Sequence, residues 1–401
     1  MSRPPGKFEF VALMAMMSAT VAIAIDGMLP ALPEIGRSLT PDHPGRVTLV
    51  ITFFMIGMGL GTLFTGPLSD AFGRKRVLLS GSALFIAASV VCYRAETLDL
   101  MLAARFVQGL GAAGPRVVAL AVIRDLHSGR EMARIVSFVM IVFTLVPAMA
   151  PTLGHLAVEA GNWRAIYLVF AGFALVGGLW LLLRLPEPLP PEKRRRMTLP
   201  TLVSGLREIF SFKVVRYTVV VQSLVFGSLI AMLSNIQQIY DIGYGQADRF
   251  HLWFGGIAVL AATSGVLNSA LVRRLGMRLL VSATLAAQIV ISGAMVLLFL
   301  SPLPDALSFG LFVFWQFTLF FQAGMCIGNL NALAMEPLGH VAGLGASAIS
   351  ATFTVIAGVL ALPVGLAFDG TAVPLAAAVL IASALSLAIM LRLRGVALDA
   401  R

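Results

Sequence analysis

The amino-acid sequence predicts an all-α polytopic membrane protein whose twelve transmembrane helices form two six-helix bundles around a central cavity. Of its 401 residues, 59% are hydrophobic and only 12% are charged, whereas a soluble domain is about half apolar and about a quarter charged. Apolar segments of about twenty residues, the length that crosses the hydrocarbon core of a bilayer, recur between short polar loops. We place the spans at residues 9–33, 47–69, 76–94, 98–122, 134–158, 163–184, 213–238, 250–272, 278–300, 306–332, 341–366 and 372–393.

The first span follows two basic residues, Arg3 and Lys7, as the apolar region of a cleaved signal peptide also does. Cleavage there would remove the segment that carries Asp26 and would leave an odd number of spans. We therefore favour an uncleaved first helix.

The basic residues predict the orientation of the chain. With the N-terminus in the cytoplasm, 22 of the 29 Lys and Arg residues fall in inner segments, five in outer segments and two inside a span. An excess of Lys and Arg on the cytoplasmic side is the rule for membrane proteins. We expect a multi-pass protein of the bacterial inner membrane with both termini in the cytoplasm. The net charge of +10 then reports topology and not a nucleic-acid partner.

A proline-rich basic segment after the sixth span divides the chain. We predict an N-terminal bundle at 1–185, a cytoplasmic linker at 186–212 and a C-terminal bundle at 213–401, because the linker prolines cannot continue a helix. The sequence Gly-Arg-Lys-Arg-Val-Leu-Leu at Gly73 is echoed by Gly-Met-Arg-Leu-Leu at Gly276. An even number of spans in each half gives parallel bundles with a cavity between them.

Asp26 is the acidic residue that requires an explanation. Nearly all of the 19 acidic residues fall in loops or at span ends, and Asp26 alone lies well inside a predicted span. A carboxylate inside the membrane is costly and generally marks an ion or proton path or pairs with another group. Arg105 lies at the same predicted depth, about 10 Å from the outer end of its span at 1.5 Å per residue. A fixed structural ion pair between the two is the alternative to a role in proton coupling.

Two electrostatic effects act on Asp26 in opposite directions: burial disfavours the charged carboxylate, whereas a nearby guanidinium favours it. A conformational change in either effect therefore shifts the charge, which is a mechanism for proton coupling. Arg116 follows Arg105 by eleven residues, close to three helical turns, so both guanidinium groups project from one face of a helix. We expect that face to be wet or paired.

Further candidate residues lie in the fifth, seventh and tenth spans. Pro147, Pro151 and Gly154 in the fifth span indicate a bend, which serves either gating or ordinary kinking. Four amide side chains near the end of span seven and in span ten are able to bind substrate or to bridge helices. These are Asn235, Gln238, Asn329 and Asn331.

No catalytic or metal-binding motif is present in the sequence. It has no Walker loop, no His-Glu-x-x-His and no Gly-x-Ser-x-Gly, which are the motifs of nucleotide-driven pumps, metalloproteases and serine hydrolases. The two cysteines have no metal-ligand spacing around them. We therefore predict no enzyme activity, no metal and no cofactor, with a proton gradient as the energy source.

Residues 66–76 read Gly-Pro-Leu-Ser-Asp-Ala-Phe-Gly-Arg-Lys-Arg and resemble the loop-two motif of the major facilitator superfamily. The resemblance implies that Asp70, Gly73 and Arg74 take part in a cytoplasmic charge network that steadies one conformation. Ala71 departs from the arginine that is usual in the motif.

The segment Arg-Phe-Val-Gln-Gly that begins at Arg105 resembles the span-four motif of the same family, whose arginine is linked with proton transfer. The segments that begin at Asp26, Ala150 and Glu336, together with Trp163-Arg164, resemble the Bcr/CflA drug-resistance branch. This resemblance covers essentially the whole chain. It implies proton-driven antiport of small, chemically varied drugs out of the cytoplasm.

Two departures from the branch pattern bear on coupling. His155 replaces the second glycine that usually follows Pro-x-x-Gly in span five, and Ser18 stands where some multidrug relatives carry a further acid. The resemblance then implies that coupling rests on Asp26 alone.

We expect a monomeric proton/drug antiporter that exports small lipophilic or cationic compounds by alternating access, with Asp26 as the coupling carboxylate. The alternative is an importer or facilitator for a nutrient or metabolite with the same fold. A non-transporting sensor is disfavoured because no large soluble module is visible. The expected partners are a small-molecule substrate, protons and the lipid bilayer.

Overall fold

The computed structural model describes residues 5–194, 199–393 and 395, and part of the predicted basic linker and both chain ends lie outside these ranges. The described residues form fifteen α-helices and no strand, which confirms the predicted all-α class. The helices are α1 Lys7–Asp26, α2 Leu32–Leu39, α3 Leu49–Phe72, α4 Arg74–Arg94, α5 Leu98–Leu126, α6 Gly129–Glu159, α7 Ala165–Arg184, α8 Leu199–Ile209, α9 Lys213–Gln238, α10 Phe250–Ala261, α11 Thr263–Leu275, α12 Met277–Phe299, α13 Asp305–Met335, α14 Ala342–Leu366 and α15 Val373–Leu393.

Eleven apolar helical stretches in the described part of the chain are long enough to cross a membrane. One of them, Asp305–Leu366, is 62 residues long and contains both α13 and α14, joined by a short 3-10 helix over Glu336–Val341. Each of these two helices is long enough to span a bilayer at 1.5 Å per residue. The structure thus accounts for the twelve predicted spans.

The chain divides into two compact units. Unit 1 comprises residues 1–39 and 53–204, and unit 2 comprises residues 40–52 and 205–401. The sequence did not indicate that residues 40–52 group with unit 2. The segment predicted as a linker also contains a helix, α8, which is eleven residues long.

The same set of helix pairs packs inside each unit. In unit 1, α1 packs against α5, α6 and α7, and α4 packs against α5 and α7. In unit 2, α9 packs against α13, α14 and α15, and α12 packs against α13 and α15. Gly73 and Gly276 precede α4 and α12 with φ values of 102° and 77°, a region open to glycine and strained for other residues. The short sequence echo therefore corresponds to a repeated structure.

The first span is not one continuous helix. Helix α1 ends at Asp26, a 3-10 turn follows over Leu29–Ala31, and α2 begins at Leu32. Pro30 lies at the start of the 3-10 turn, where its missing N–H costs no helical hydrogen bond. Asp26 consequently lies at a break within the span.

Helix α6 crosses this break at very close range. A Cβ atom added to Gly154 of α6 would collide with the carbonyl oxygen of Gly27, and one added to Gly27 would lie 3.4 Å from the carbonyl oxygen of Ala150. Small residues allow this backbone-to-backbone approach, which is a common form of helix packing in membranes. The Pro-x-x-Gly segment of α6 therefore holds the chain directly beside Asp26.

Helix α5 is packed by glycine contacts on two sides. Cβ atoms added to Gly57 of α3 and to Gly109 of α5 would overlap the backbone of the opposite helix at Phe106 and Phe54. Gly111 of α5 approaches Gly81 of α4 in the same manner. These contacts fix α5, which carries Arg105 and Arg116, between α3 and α4.

We predict that Gly109→Ala destabilises the protein, because the new methyl group meets the α3 backbone and overpacking typically costs about 1–3 kcal/mol. Gly172→Ala on α7 is the matched control, since a Cβ atom at Gly172 would meet no atom within 4 Å. Thermal unfolding in detergent should show a lower midpoint for Gly109→Ala and an unchanged or higher midpoint for Gly172→Ala. Equal midpoints would show that α3 and α5 move apart to accept the methyl group without a loss of stability.

Candidate functional site

Asp26 is a buried acid that has no partner in the part of the chain that the structure describes. It lies at the end of α1 in unit 1 and is only 7% exposed. Its carboxylate makes no hydrogen bond or ion pair with any residue that the structure describes. A buried carboxylate in this state is energetically costly, so membrane proteins retain it for function more often than for stability.

Arg105 of α5, which the sequence places at the same depth as Asp26, is fully buried. Its guanidinium donates to Oε1 of Gln108 at 2.6 Å and to the carbonyl oxygen of Ala24 at 3.2 Å. It also lies 4.4 Å from the centroid of the Phe54 ring, a cation–π distance. Gln108 in turn donates to Oγ of Ser89 at 2.7 Å. Arg105 thereby connects α1, α3, α4 and α5.

The contact between Arg105 and Ala24 follows from the way α1 ends. At the break, the N–H of Met28 donates to the carbonyl of Ile25 instead of to Ala24, which a continuing α-helix would require. The Ala24 carbonyl is thus left without its usual helical donor, and Arg105 supplies one. In a bilayer interior such a backbone group must be satisfied by the protein itself.

The structure therefore brings the Arg105 guanidinium to Ala24, two residues before Asp26, but does not pair the side chains of Arg105 and Asp26. The common depth that the sequence predicted brings Arg105 to the end of α1, where it contacts Ala24. Among the described contacts, Asp26 forms no ion pair with Arg105. The roles of both residues in proton coupling remain predictions.

Arg116 lies three turns further along α5 and is half-buried. Among the described residues its guanidinium has one hydrogen-bond partner, Sδ of Met58 on α3 at 3.6 Å. A thioether sulfur is a weak acceptor, whereas a guanidinium carries five N–H donors. The predicted paired or wet face of α5 is thus only weakly satisfied at this position.

A charge network joins the adjacent ends of α3, α4 and α5. Nη1 of Arg74 lies 2.5 Å from Oδ1 of Asp70, and its Nε lies 2.7 Å from Oδ2 of Asp125. Nη1 also donates to Oγ of Ser69 at 2.6 Å. Arg74 is mostly buried, with 10% of its side chain exposed. Because it is partly shielded from water, this network is stronger than an exposed ion pair.

Glu187 of the linker extends the network. Its carboxylate accepts the backbone N–H groups of Arg74 at 2.8 Å and of Lys75 at 3.1 Å. These are free N–H groups of the first turn of α4, where a negative charge also complements the helix dipole. A Cβ atom at Gly73 would lie 2.7 Å from Oε2 of Glu187, so glycine leaves room for the cap. Asp70, Gly73 and Arg74 are brought together as the motif implied.

The three candidate gating residues lie in α6, which continues through both prolines. Gly154 and Pro151 are buried, and Pro147 is half-buried. The Gly154 contact with Gly27 gives this segment a definite position beside Asp26. A gating movement of α6 at Pro147 and Pro151 is still a prediction.

The amide candidates lie in unit 2 and differ from one another. Asn235 and Gln238 are buried on α9, and Oδ1 of Asn235 has no partner in the described part of the chain. Asn329 of α13 donates to Oδ1 of Asn268 at 2.6 Å, which gives it a role in joining α11 to α13. Asn331 is exposed.

The sequence did not single out Ser89, Asp125 and Glu187. Asp125 stands at the end of α5 and Glu187 stands between two linker prolines, so both have the appearance of loop charges. Their partners lie 51 and 113 residues away. No local pattern reports contacts over such separations, and only the basic motif at Arg74, which requires acids to balance it, offered a signal.

Comparison with known proteins identifies the family. The model of the Major Facilitator Superfamily matches residues 10–362. A bicyclomycin resistance protein homolog of Haemophilus influenzae is 29% identical over 72% of each chain. Multidrug resistance protein MdtL of Shigella flexneri is 37% identical over 42% of this chain and 43% of that protein. The solved structure of a D-xylose-proton symporter shares the fold, with a TM-score of 0.73 at 15% identity over 94% of this chain and 97% of that one. The chain belongs to the Major Facilitator Superfamily.

Proposed function

We propose that this transporter exports small lipophilic or cationic drugs in exchange for protons, with Asp26 as the coupling carboxylate. The observation that carries the proposal is the buried Asp26 side chain, which has no partner among the described residues. The names of two relatives, which refer to bicyclomycin resistance and multidrug resistance, favour export of drugs.

Arg105 supplies the means by which Asp26 changes its charge. In the described state the guanidinium serves the Ala24 carbonyl and Gln108, so it does not stabilise an ionised Asp26. A movement that brings the two groups to about 4 Å would favour the ionised form by about 4 kcal/mol at an effective dielectric constant of 20. Such an energy difference corresponds to a change of several hundredfold in proton occupancy. Proton release and conformational change are then one event.

The charge network at Arg74 acts on the conformational equilibrium. It joins α3, α4 and α5 through two carboxylates and joins α4 to the linker through Glu187. A transporter that alternates between two states requires contacts that form in one state and open in the other. We assign the Arg74 network to that role.

The oligomeric state, membrane location and orientation that we propose are those predicted from the sequence. We propose that it functions as a monomer in the bacterial inner membrane, with both termini in the cytoplasm. Its partners are a small-molecule substrate, protons and the surrounding lipid, and it uses the proton gradient without a cofactor.

We predict that Asp26→Asn abolishes substrate-induced proton release, because an amide of the same shape does not exchange a proton in the working range. The measurement uses a pH dye with purified protein and a panel of lipophilic antibiotics and organic cations. Asp305→Asn is the matched control, since Asp305 is an exposed acid at the start of α13. Wild type and Asp305→Asn should release protons when substrate binds, and Asp26→Asn should not.

Unchanged proton release from Asp26→Asn would place the coupling group elsewhere. Accumulation of substrate inside intact cells that a protonophore abolishes would favour the uptake alternative instead of export.

We predict that Glu187→Ala slows transport and lowers stability, because the first turn of α4 loses its acceptor and helix caps contribute about 0.5–2 kcal/mol. Glu192→Ala is the control in the same linker, where the side chain is exposed. Transport rates in everted vesicles and thermal unfolding check both effects. Equal behaviour of the two variants would refute a role for the Glu187 cap.

A further inference from the structure

Arg116 is the least satisfied of the buried and half-buried arginines on α4 and α5, which are Arg74, Arg105 and Arg116. Arg74 has two carboxylates, and Arg105 has a carbonyl oxygen, an amide oxygen and an aromatic ring. Arg116 has the sulfur of Met58 at 3.6 Å as its one hydrogen-bond partner among described residues. Since all three are permanently charged, only Arg116 lacks a strong acceptor.

Among the described residues, no acid forms an ion pair with Arg116. The nearest acid along α5 is Asp125, and its carboxylate is engaged by Arg74. A guanidinium withdrawn from water without an anion loses solvation energy that one thioether contact does not restore. A cationic group left in this state inside a membrane is expected to face a ligand or its path.

The position of Arg116 separates it from the coupling site. It lies eleven residues beyond Arg105 on α5, which corresponds to about 16 Å along the helix axis on the same face. Arg105 marks the level of Asp26, because it contacts Ala24 at the end of α1. Unit 1 therefore carries a buried carboxyl group and a weakly satisfied guanidinium at levels about 16 Å apart along the axis of α5.

We infer that the transported compounds carry an acidic group that pairs with Arg116, in addition to the lipophilic or basic part that lies towards Asp26. This inference rests on the proposed function and narrows its substrate class to amphoteric and acidic molecules, with a carboxylate as the simplest case. Met58 suits such a site, because a thioether is polarisable and adapts to varied apolar groups.

A pair of dyes tests the inference directly. Rhodamine 110 carries a free carboxyl group, and rhodamine 123 is its methyl ester, so the two differ only at the acidic group. Fluorescence anisotropy with purified protein in lipid nanodiscs, without a proton gradient, measures both affinities. Wild type should bind rhodamine 110 about tenfold more tightly than the ester, a difference of about 1.4 kcal/mol. Arg116→Gln should lose this preference, and Arg116→Lys should retain part of it.

Thermal stability supplies a second measurement that requires no ligand. Arg116→Met removes an unbalanced charge and should raise the unfolding midpoint of the empty protein. Arg105→Met removes a hydrogen-bonded guanidinium and should lower it. A lower midpoint for Arg116→Met would show that the guanidinium stabilises the fold, and it would overturn the inference. If neither dye binds, this comparison alone decides.

Equal binding of the two dyes by wild type would also overturn the inference, as would an unchanged preference in Arg116→Gln. The proton-release assay with Asp26→Asn is independent of these results. Proton release without a preference for the acid would leave the exchange mechanism standing and remove Arg116 from substrate recognition. A preference for the acid without proton release would support the role of Arg116 in substrate recognition and would contradict the exchange mechanism.

Discussion

The hydrogen bond between Arg105 and the Ala24 carbonyl is the interaction on which the rest of unit 1 depends. Inside a bilayer, a backbone carbonyl that loses its helical partner has no water to replace it. The break after Asp26 creates such a carbonyl, and Arg105 satisfies it. Because Arg105 is itself a buried charge, Gln108, Ser89 and Phe54 are required around it. One backbone oxygen without a helical donor thus accounts for polar and aromatic side chains on α3, α4 and α5 at this level.

The same contact bears on the proposed role of Asp26 as the coupling carboxylate. If Arg105 were a permanent partner of Asp26, the carboxylate would stay ionised, since breaking a buried pair is strongly destabilising. The carbonyl of Ala24, two residues before Asp26, holds the Arg105 guanidinium in place of the carboxylate. The close contact of Gly27 with Gly154 places a proline-containing helix against the residue that follows Asp26, so a shift of α6 acts on the break directly. In the proposed mechanism, coupling depends on which acceptor holds Arg105.

The sequence predicted the features that follow from composition and helix geometry. The number of spans comes from the length of apolar segments, and the shared level of Asp26 and Arg105 comes from the rise per residue. The partner of Arg105 did not follow, because depth along an axis says nothing about the rotation of a side chain or about a carbonyl freed by a break. Pro30 and Pro33 were the only local signs of that break. The helix α8 inside the predicted linker, the grouping of residues 40–52 with unit 2 and the contact of Glu187 with α4 depend on distant residues, which a pattern along the chain does not report.

The cap that Glu187 places on α4 has a consequence for biosynthesis. Helix α4 begins at Arg74, but the acceptor for its first N–H groups is 113 residues later in the chain. A ribosome that adds about 5–20 residues per second leaves that helix end uncapped for several seconds. The cap therefore forms only after the linker has emerged, which precedes the synthesis of α9. Helix α4 acquires its N-terminal acceptor at a defined point of translation.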